Sequence, residues 1–359
     1  MKELHSIEAD KVNLSDFDEI IDVRSPLEYE EDSLPSALNI PVLNNKEREL
    51  VGTIYKQESP FEARRKGAAI ISHNIAAHLR EHFFDKRKSY SCLVYCWRGG
   101  ERSRSLATIL NRIGWRSVLL EGGYQAYRKK IVNDLKTKLT HKHLFKIISG
   151  FTGSGKTRLL SHLHNNGSQV LDLEGIASHK GSALGDVITL KQPSQKKFER
   201  KILESLEKLN PSKITYLESE SSRIGSLQIP ACLWSLMKTS PVIEINASIC
   251  HRADFLLEEY EYFIKSPESL LAKLTKIKHL VPQKVYDTWL DLIVNKDFKN
   301  FVLSILEKHY DPAYSVSRRN TYSQPTENVY KLDRINDTSL NKLAVSILTT
   351  SKQQEDEIS

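Results

Sequence analysis

Cysteine is scarce in this 359-residue chain. There are four, Cys92, Cys96, Cys232 and Cys250, too few and too scattered for a disulfide framework or a zinc site. Long apolar runs are missing too: no stretch approaches the ~20 residues that span a bilayer. The opening residues, MKELHSIEADKVNLSDFDEI, lack the apolar stretch of a secretory signal. A chain with these absences is expected in the reducing cytoplasm, away from membranes. It also lacks low-complexity tracts and repeats of fixed period. At 40% hydrophobic and 27% charged residues its composition excludes wholesale disorder. Charge is not balanced: 52 Lys and Arg against 45 Asp and Glu leave +7, with a pI near 9.0. That surplus permits a polyanionic partner such as RNA without requiring one.

At ~150 residues per domain the length suggests two or three domains. Residues 1–138 alternate short β-branched runs with helical patterns. Ile20–Val23 and Leu93–Tyr95 read as buried strands. Leu106, Ile109, Leu110 and Ile113 recur at helical spacing before Gly114, a C-cap. A charged connector, Lys136–Lys142, follows. A second α/β domain is expected over 143–250, with strands at Lys146–Ser149, Ile214–Leu217 and Val242–Ile245 and a helix over Thr157–His164. Spacing turns helical from Ala253 to His309, so 251–359 is expected to be a helical C-terminal part of that domain, its polar tail frayed from Gln353.

Two loops carry chemistry. In the first, strand residues Leu93–Tyr95 run into Cys96-Trp-Arg-Gly-Gly-Glu-Arg102-Ser103. Backbone N–H groups of a short glycine loop and the start of a helix create positive potential. Arg102 adds a cationic fork. Both favour a nucleophilic thiolate at Cys96. Phosphate-ester hydrolysis and sulfur or selenium transfer both fit such a loop.

The second loop, Gly150-Phe-Thr-Gly153-Ser154-Gly155-Lys156-Thr157, satisfies G-x-x-x-x-G-K-[ST] between a strand and a helix. Its N–H groups and Lys156 are suited to phosphate oxygens, and the Thr157 hydroxyl to Mg²⁺. This is the P-loop of NTPase-like parallel-sheet domains, and it indicates a diphosphate-bearing ligand rather than NTP hydrolysis. The strand that should end in Asp ends in Glu218, with Glu220 and Arg223 close by, and Asp172 and Glu174 are further acidic candidates. These acids either hold a metal or are solvated, and the sequence fixes no metal ligand.

Upstream of the first loop, Asp22-Val-Arg24-Ser-Pro-Leu-Glu28-Tyr29 and Leu34–Pro41 resemble the rhodanese signature, as does Leu120–Gly123. The resemblance makes Arg24 and Glu28 a structural ion pair. The chain departs from that pattern at Ser33 and Ser36, where histidine and glycine are common. A rhodanese-like domain joined to a P-loop domain resembles the bacterial tRNA 2-selenouridine synthases. The likeness extends to Asn44–Arg48, Val51–Gln57, Gly67, Glu121–Arg128, Leu171–Gly175, His179–Ser182, Gln192–Gln195, Glu218–Ser226, Glu258–Tyr260 and Tyr310–Pro312.

That resemblance implies an enzyme that replaces sulfur by selenium at C2 of the wobble 2-thiouridine in the tRNA anticodon arm. The co-substrates would be selenophosphate and geranyl diphosphate, with S-geranyl-2-thiouridine as intermediate and no tightly bound cofactor. The P-loop would hold the diphosphate, and the Cys96 loop with Arg102 the selenophosphate. Gly67 would border the selenation site. Arg64, Arg65 and Lys66 are either a tRNA contact or a solvated face. Trp97, Tyr124 and Tyr127 are candidates for stacking on the base, though core packing is expected for at least one, and Arg252 and Lys265 for the anticodon stem. Two other classes compete. A sulfurtransferase or cysteine phosphatase fused to a P-loop kinase would not depend on tRNA, and a non-catalytic RNA binder would show eroded loops.

Overall fold

The computed structural model describes residues 4–139, 143–180, 191–322, 324 and 326–358, with side chains for all of these but 320 and 352–358. The end of the charged connector and Gly181–Ser182 of the quoted motifs lie outside the described residues. The chain divides into two compact units, Met1–Asp134 and Leu135–Ser359.

In the first unit β1 (Ser6–Ile7), β2 (Glu19–Asp22), β3 (Ala37–Asn39), β4 (Ser91–Tyr95) and β5 (Arg116–Leu120) form a parallel sheet in the order β1-β5-β4-β2-β3. Its helices are α1 (Pro26–Glu31), α2 (Asn45–Gln57), α3 (Pro60–His78), α4 (Glu101–Ile113) and α5 (Gly123–Lys138). A central parallel strand buried on both faces reads as an unbroken apolar run, which is why β2 and β4 are visible in the sequence. The carboxyl end of β4 delivers Cys96. Gly114 caps α4 at φ 113°, as its position predicts. Ser36, where the rhodanese pattern commonly has glycine, sits at φ 56°. The usual glycine therefore answers a left-handed backbone that serine tolerates less well.

The second unit contains β6 (Leu144–Ser149), β7 (Gln169–Val170), β8 (Ile214–Glu218), a small hairpin of β9 (Arg223–Ile224) and β10 (Leu227–Gln228), β11 (Val242–Ala247) and β12 (Thr326–Leu332). Its main sheet is parallel, in the order β12-β11-β6-β8-β7. The helices run α6 (Lys156–Asn165), α7 (Leu173–Ala177), α8 (Gln195–Glu207), α9 (Ala231–Thr239), α10 (Ile249–Glu259), α11 (Glu261–Lys265), α12 (Pro267–Leu274), α13 (Gln283–Val294), α14 (Phe298–Ile305), α15 (Asp311–Thr321) and α16 (Asp337–Ile358). None of the described helices is long and apolar enough to cross a membrane.

Within 251–359, which is largely helical, β12 adds an edge strand to the sheet. Only one neighbour pairs with it and its residues alternate half-buried and exposed, so Thr-Glu-Asn-Val-Tyr-Lys-Leu carries no apolar run. The polar tail from Gln353 continues α16 to Ile358. Leu340, Leu343, Ala344 and Ile347 of α16 share one core with Ile148 of β6 and Leu159, Leu160 and Leu163 of α6. The helices α11–α14 close a separate core around Trp289 and Phe301. Placing β6 mid-sheet puts Gly150 at its carboxyl end, beside the end of β8 at Glu218. In open α/β sheets that is where ligands bind.

Candidate functional sites

In the first unit the Cys96 thiol is almost enclosed, 3% exposed. Its Sγ accepts hydrogen bonds from Gly100 N–H and from the Ser103 hydroxyl, both at 3.2 Å. Gly100 is the N-cap of α4, so the sulfur faces that helix's first turn. The start of α5 braces the loop from behind: Tyr124 N–H donates to Cys96 O at 2.8 Å and Gln125 N–H to Trp97 O at 2.9 Å. Gly123, at φ 57°, lies so close that a Cβ there would stand 2.3 Å from Cys96 O. This position admits no side chain.

The charges around the loop are arranged differently from the expectation. Arg24 does not pair with Glu28; its guanidinium is fully buried against Asp22 at 2.6 Å. Asp22 ends β2 two residues away and reaches it first. Glu28 instead takes Arg102, at 2.6 and 3.2 Å. Ser25 N–H and Oγ also donate to it, at 3.1 Å each, in a capping box that aims the carboxylate at the loop. Arg102 is thus a brace for the Cys96 loop, its fork occupied by a carboxylate, rather than an open anion clamp. Burial alone would push the Glu28 carboxyl up; the Arg102 guanidinium and Ser25 N–H outweigh it and hold it near 2.

Tyr124 is wholly buried, donating to Asp32 at 2.8 Å with the Arg24 guanidinium 4.1 Å from its ring centroid, and so does not stack on a base. Tyr127 is buried as well, while Trp97 keeps a partly open face. Gly67 lies buried in α3, where a Cβ would touch Val51 of α2 at 3.4 Å. It sets the approach of α2 to α3. Arg64, Arg65 and Lys66 are exposed, and Arg65 pairs with Glu62.

In the second unit the glycine loop has the backbone its motif requires. Gly153 and Gly155 adopt φ of 83° and 77°. A Cβ on Gly150 would stand 2.8 Å from Ile245 O. The Ser154 hydroxyl is buried without a partner. Lys156 Nζ donates to Gly150 O at 2.9 Å, and the Thr157 hydroxyl donates to Glu174 at 3.1 Å.

Glu174, Glu218 and Glu220 converge: each offers a carboxylate oxygen, and these lie within 4.8 Å of one another. Burial pushes all three carboxyls up. The neighbouring Glu174 charge adds to the shift at Glu218 and Glu220, and Lys156 opposes it. Glu218 is 3% exposed and one of its oxygens has no partner. Asp172, the fourth acid named from the sequence, stands apart. It is the N-cap of α7 and accepts from Gly175 N–H at 2.8 Å.

Several residues at this site carry no sequence motif. Tyr314 of α15 places its hydroxyl on Gly150 N–H at 2.9 Å and meets Ser149 and Ser219 at 2.7 and 3.1 Å. It lies one turn beyond Tyr310, and that helical spacing from the Tyr310–Pro312 motif is the signal that could have found it. Arg252, expected on the anticodon stem, is 3% exposed. It holds Asp311 by two bonds, at 2.9 and 2.6 Å, and donates to Thr152 O at 3.0 Å. It therefore ties α10 and α15 to the glycine loop. Lys265 is exposed and pairs with Glu261.

A cleft of about 390 Å³ opens over the loop, with Lys156, Arg158, Lys180 and the three glutamates on its walls. Thr152, Leu256, Tyr260 and Tyr310 also wall a second cavity. Beyond that shared mouth it is lined by apolar side chains alone, among them Phe263, Leu270, Val302 and Ile305.

A thiol cradle on one parallel sheet and a phosphate loop with a carboxylate cluster on another define a protein that joins a rhodanese-like domain to a P-loop domain. Residues 4–130 match the rhodanese-like domain family, and residues 143–330 match the AAA domain of tRNA 2-selenouridine synthase. The chain belongs to the tRNA 2-selenouridine synthase family. A protein of that name from Nitrosomonas europaea is 36% identical over 245 residues, 67% of this chain and 63% of that one. Its counterpart in Bdellovibrio bacteriovorus is 30% identical over 347 residues, covering 84% of this chain and 89% of the relative. The Psychromonas ingrahamii protein of the same name is 30% identical, with 82% and 86% covered. The Nitrosomonas match spans less than two thirds of that relative's length.

Proposed function

We propose that this protein, acting in the cytoplasm, replaces sulfur by selenium at C2 of a wobble 2-thiouridine in tRNA, using geranyl diphosphate and selenophosphate. One observation carries the reading of the second unit: its phosphate loop opens through a shared mouth into an apolar slot. A nucleoside triphosphate has a polar base and ribose to place beyond its phosphates. A geranyl diphosphate has ten carbons, and hydrocarbon is what such a slot favours.

In the first step the thiocarbonyl sulfur attacks C1 of the geranyl group. The C–O bond breaks and its electron pair leaves with the diphosphate. Loop N–H groups and Lys156 neutralise that leaving group, an interaction that strengthens as charge develops. Alkylation turns a poor leaving group into a thioether. In the second step the selenium of selenophosphate adds at C2 and geranylthiolate departs, taking a proton; water then breaks the P–Se bond, phosphate leaves, and selenium stays on C2. Cys96 handles the selenium of selenophosphate, its sulfur held by Gly100 N–H and Ser103 Oγ.

A divalent cation such as Mg²⁺ fits the carboxylate cluster. The unpartnered Glu218 oxygen is a buried acceptor in want of a positive charge. Thr157, Glu174, Glu218 and Glu220 would hold the ion, which supplies charge neutralisation to the diphosphate.

The test is calorimetric. Val302→Trp fills the slot from α14 without touching the loop. It should weaken geranyl diphosphate binding by at least about tenfold and leave inorganic pyrophosphate unchanged. Equal geranyl diphosphate affinity in variant and wild type would overturn the reading.

A further inference from the structure

A third cavity, about 450 Å³, lies against the phosphate loop and has a mixed lining of aromatic, arginine and uncharged polar side chains, with Glu244 among them. Phe151 of the loop and Tyr314 and Tyr322 bring aromatic rings to it; Arg318 and Arg319 bring guanidinium groups. It shares Tyr314, Arg318 and Tyr322 with the P-loop cleft, so the end of α15 and the residue after it border both.

The shared residues are fixed from the P-loop side. The Tyr314 hydroxyl is on Gly150 N–H. Tyr322 Oη accepts from Glu220 N–H at 3.0 Å and lies 3.1 Å from Glu220 O. Phe151 and Tyr314 rings stand 5.3 Å apart. Arg318 is set by Glu244 at 2.7 Å and by the Thr326 hydroxyl at 2.6 Å, with its Nε–H enclosed and without an acceptor. Arg319 is exposed at the rim.

We propose that this cavity receives the target pyrimidine nucleotide of the RNA, base against the aromatic rings and backbone phosphate at Arg319. The inference rests on the reading above, in which a nucleobase must meet a carbon of a P-loop-bound diphosphate. Of the three cavities, the first is built for phosphate and the second for hydrocarbon. The third offers aromatic side chains, the Gln324 amide, arginine guanidinium groups, and room for a base and ribose. Proteins take single-stranded RNA in this way, by stacking on aromatic rings and arginine planes. An anticodon loop presents its wobble base already unpaired, so little must be spent on unstacking it. The residues common to the base and diphosphate cavities put a base held there beside the bound diphosphate.

The experiment uses the full-length protein and an anticodon stem–loop RNA with 4-thiouridine at the wobble position. Arg319→Glu should weaken RNA binding about tenfold or more in fluorescence anisotropy and reduce the slope of log affinity against log salt by roughly one phosphate contact, ~0.7. Its affinity for inorganic pyrophosphate should not change. Irradiation of the wild-type complex should cross-link the thiolated base to Phe151 or to residues 311–322. Unchanged RNA affinity in the variant, or cross-links confined to other segments, overturns the proposal. The pyrophosphate arm reads the phosphate loop alone. A wild type that cross-links here but binds no pyrophosphate therefore refutes the role given to that loop and keeps the cavity.

Discussion

Glu28 shows how one residue decides what the Cys96 loop can do. Its carboxylate holds the guanidinium that a free thiol loop would offer to an anion, and Arg102 is held in place by it. Its folded-state value lies near 2, below the ordinary 4.5. A depressed carboxyl contributes stability that is complete above its unfolded value and is lost as pH falls through the folded one. Wild type should therefore lose on the order of 2 kcal/mol from this group between about pH 4.5 and 2. Glu28→Gln should start lower at neutral pH and lack that component. Thermal melts of both proteins across the acid range check this, and parallel curves would show that the pair does not stabilise the unit. The buried glutamates of the other unit shift in the opposite sense, because burial and their mutual repulsion outweigh the opposing Lys156 charge.

At the scale of elements, the phosphate loop depends on a helix nearly two hundred residues away. Leu340 of α16 is fully buried in the core of the second unit, and its side chain would stand 3.3 Å from a Cβ at Gly155. Leu340→Ala removes packing behind the loop and should cost ~2–5 kcal/mol. Pyrophosphate affinity should fall with it. A melting point within a degree or two of wild type, with intact affinity, would separate α16 from the loop. The loop itself is legible in the sequence because eight consecutive residues carry all its requirements: glycines for left-handed turns, lysine for charge, threonine for a hydroxyl. The same holds for Cys96 at the end of an unbroken apolar strand. Tyr314, the apolar slot and β12 are not legible this way. Tyr314 acts on Gly150 across 164 positions. The slot is assembled from α10, α11, α12 and α14, each of which reads as an ordinary amphipathic helix. As an edge strand, β12 has no need of the apolar run that reveals an inner one. Arg102 and Arg252 were visible as cations, but their carboxylate partners, Glu28 and Asp311, come from distant segments, and only the fold shows these pairs.

For the whole molecule, the family relationship joins two units of different chemistry in one chain, and the account gives each a separate step on the same nucleobase. Under the proposed function the thiol loop would handle selenium, and the phosphate loop would activate the sulfur that selenium replaces. Because the steps are sequential, losing the second traps an intermediate, whereas losing the first leaves the substrate untouched. Nucleoside mass spectrometry of 2-thiouridine-containing tRNA, incubated with geranyl diphosphate and selenophosphate, reads both steps at once. Wild type should yield 2-selenouridine, Cys96→Ser should accumulate S-geranyl-2-thiouridine without selenouridine, and Lys156→Ala should leave 2-thiouridine. Loss of both products in Cys96→Ser, or selenouridine formed by Lys156→Ala at the wild-type level, would contradict the account.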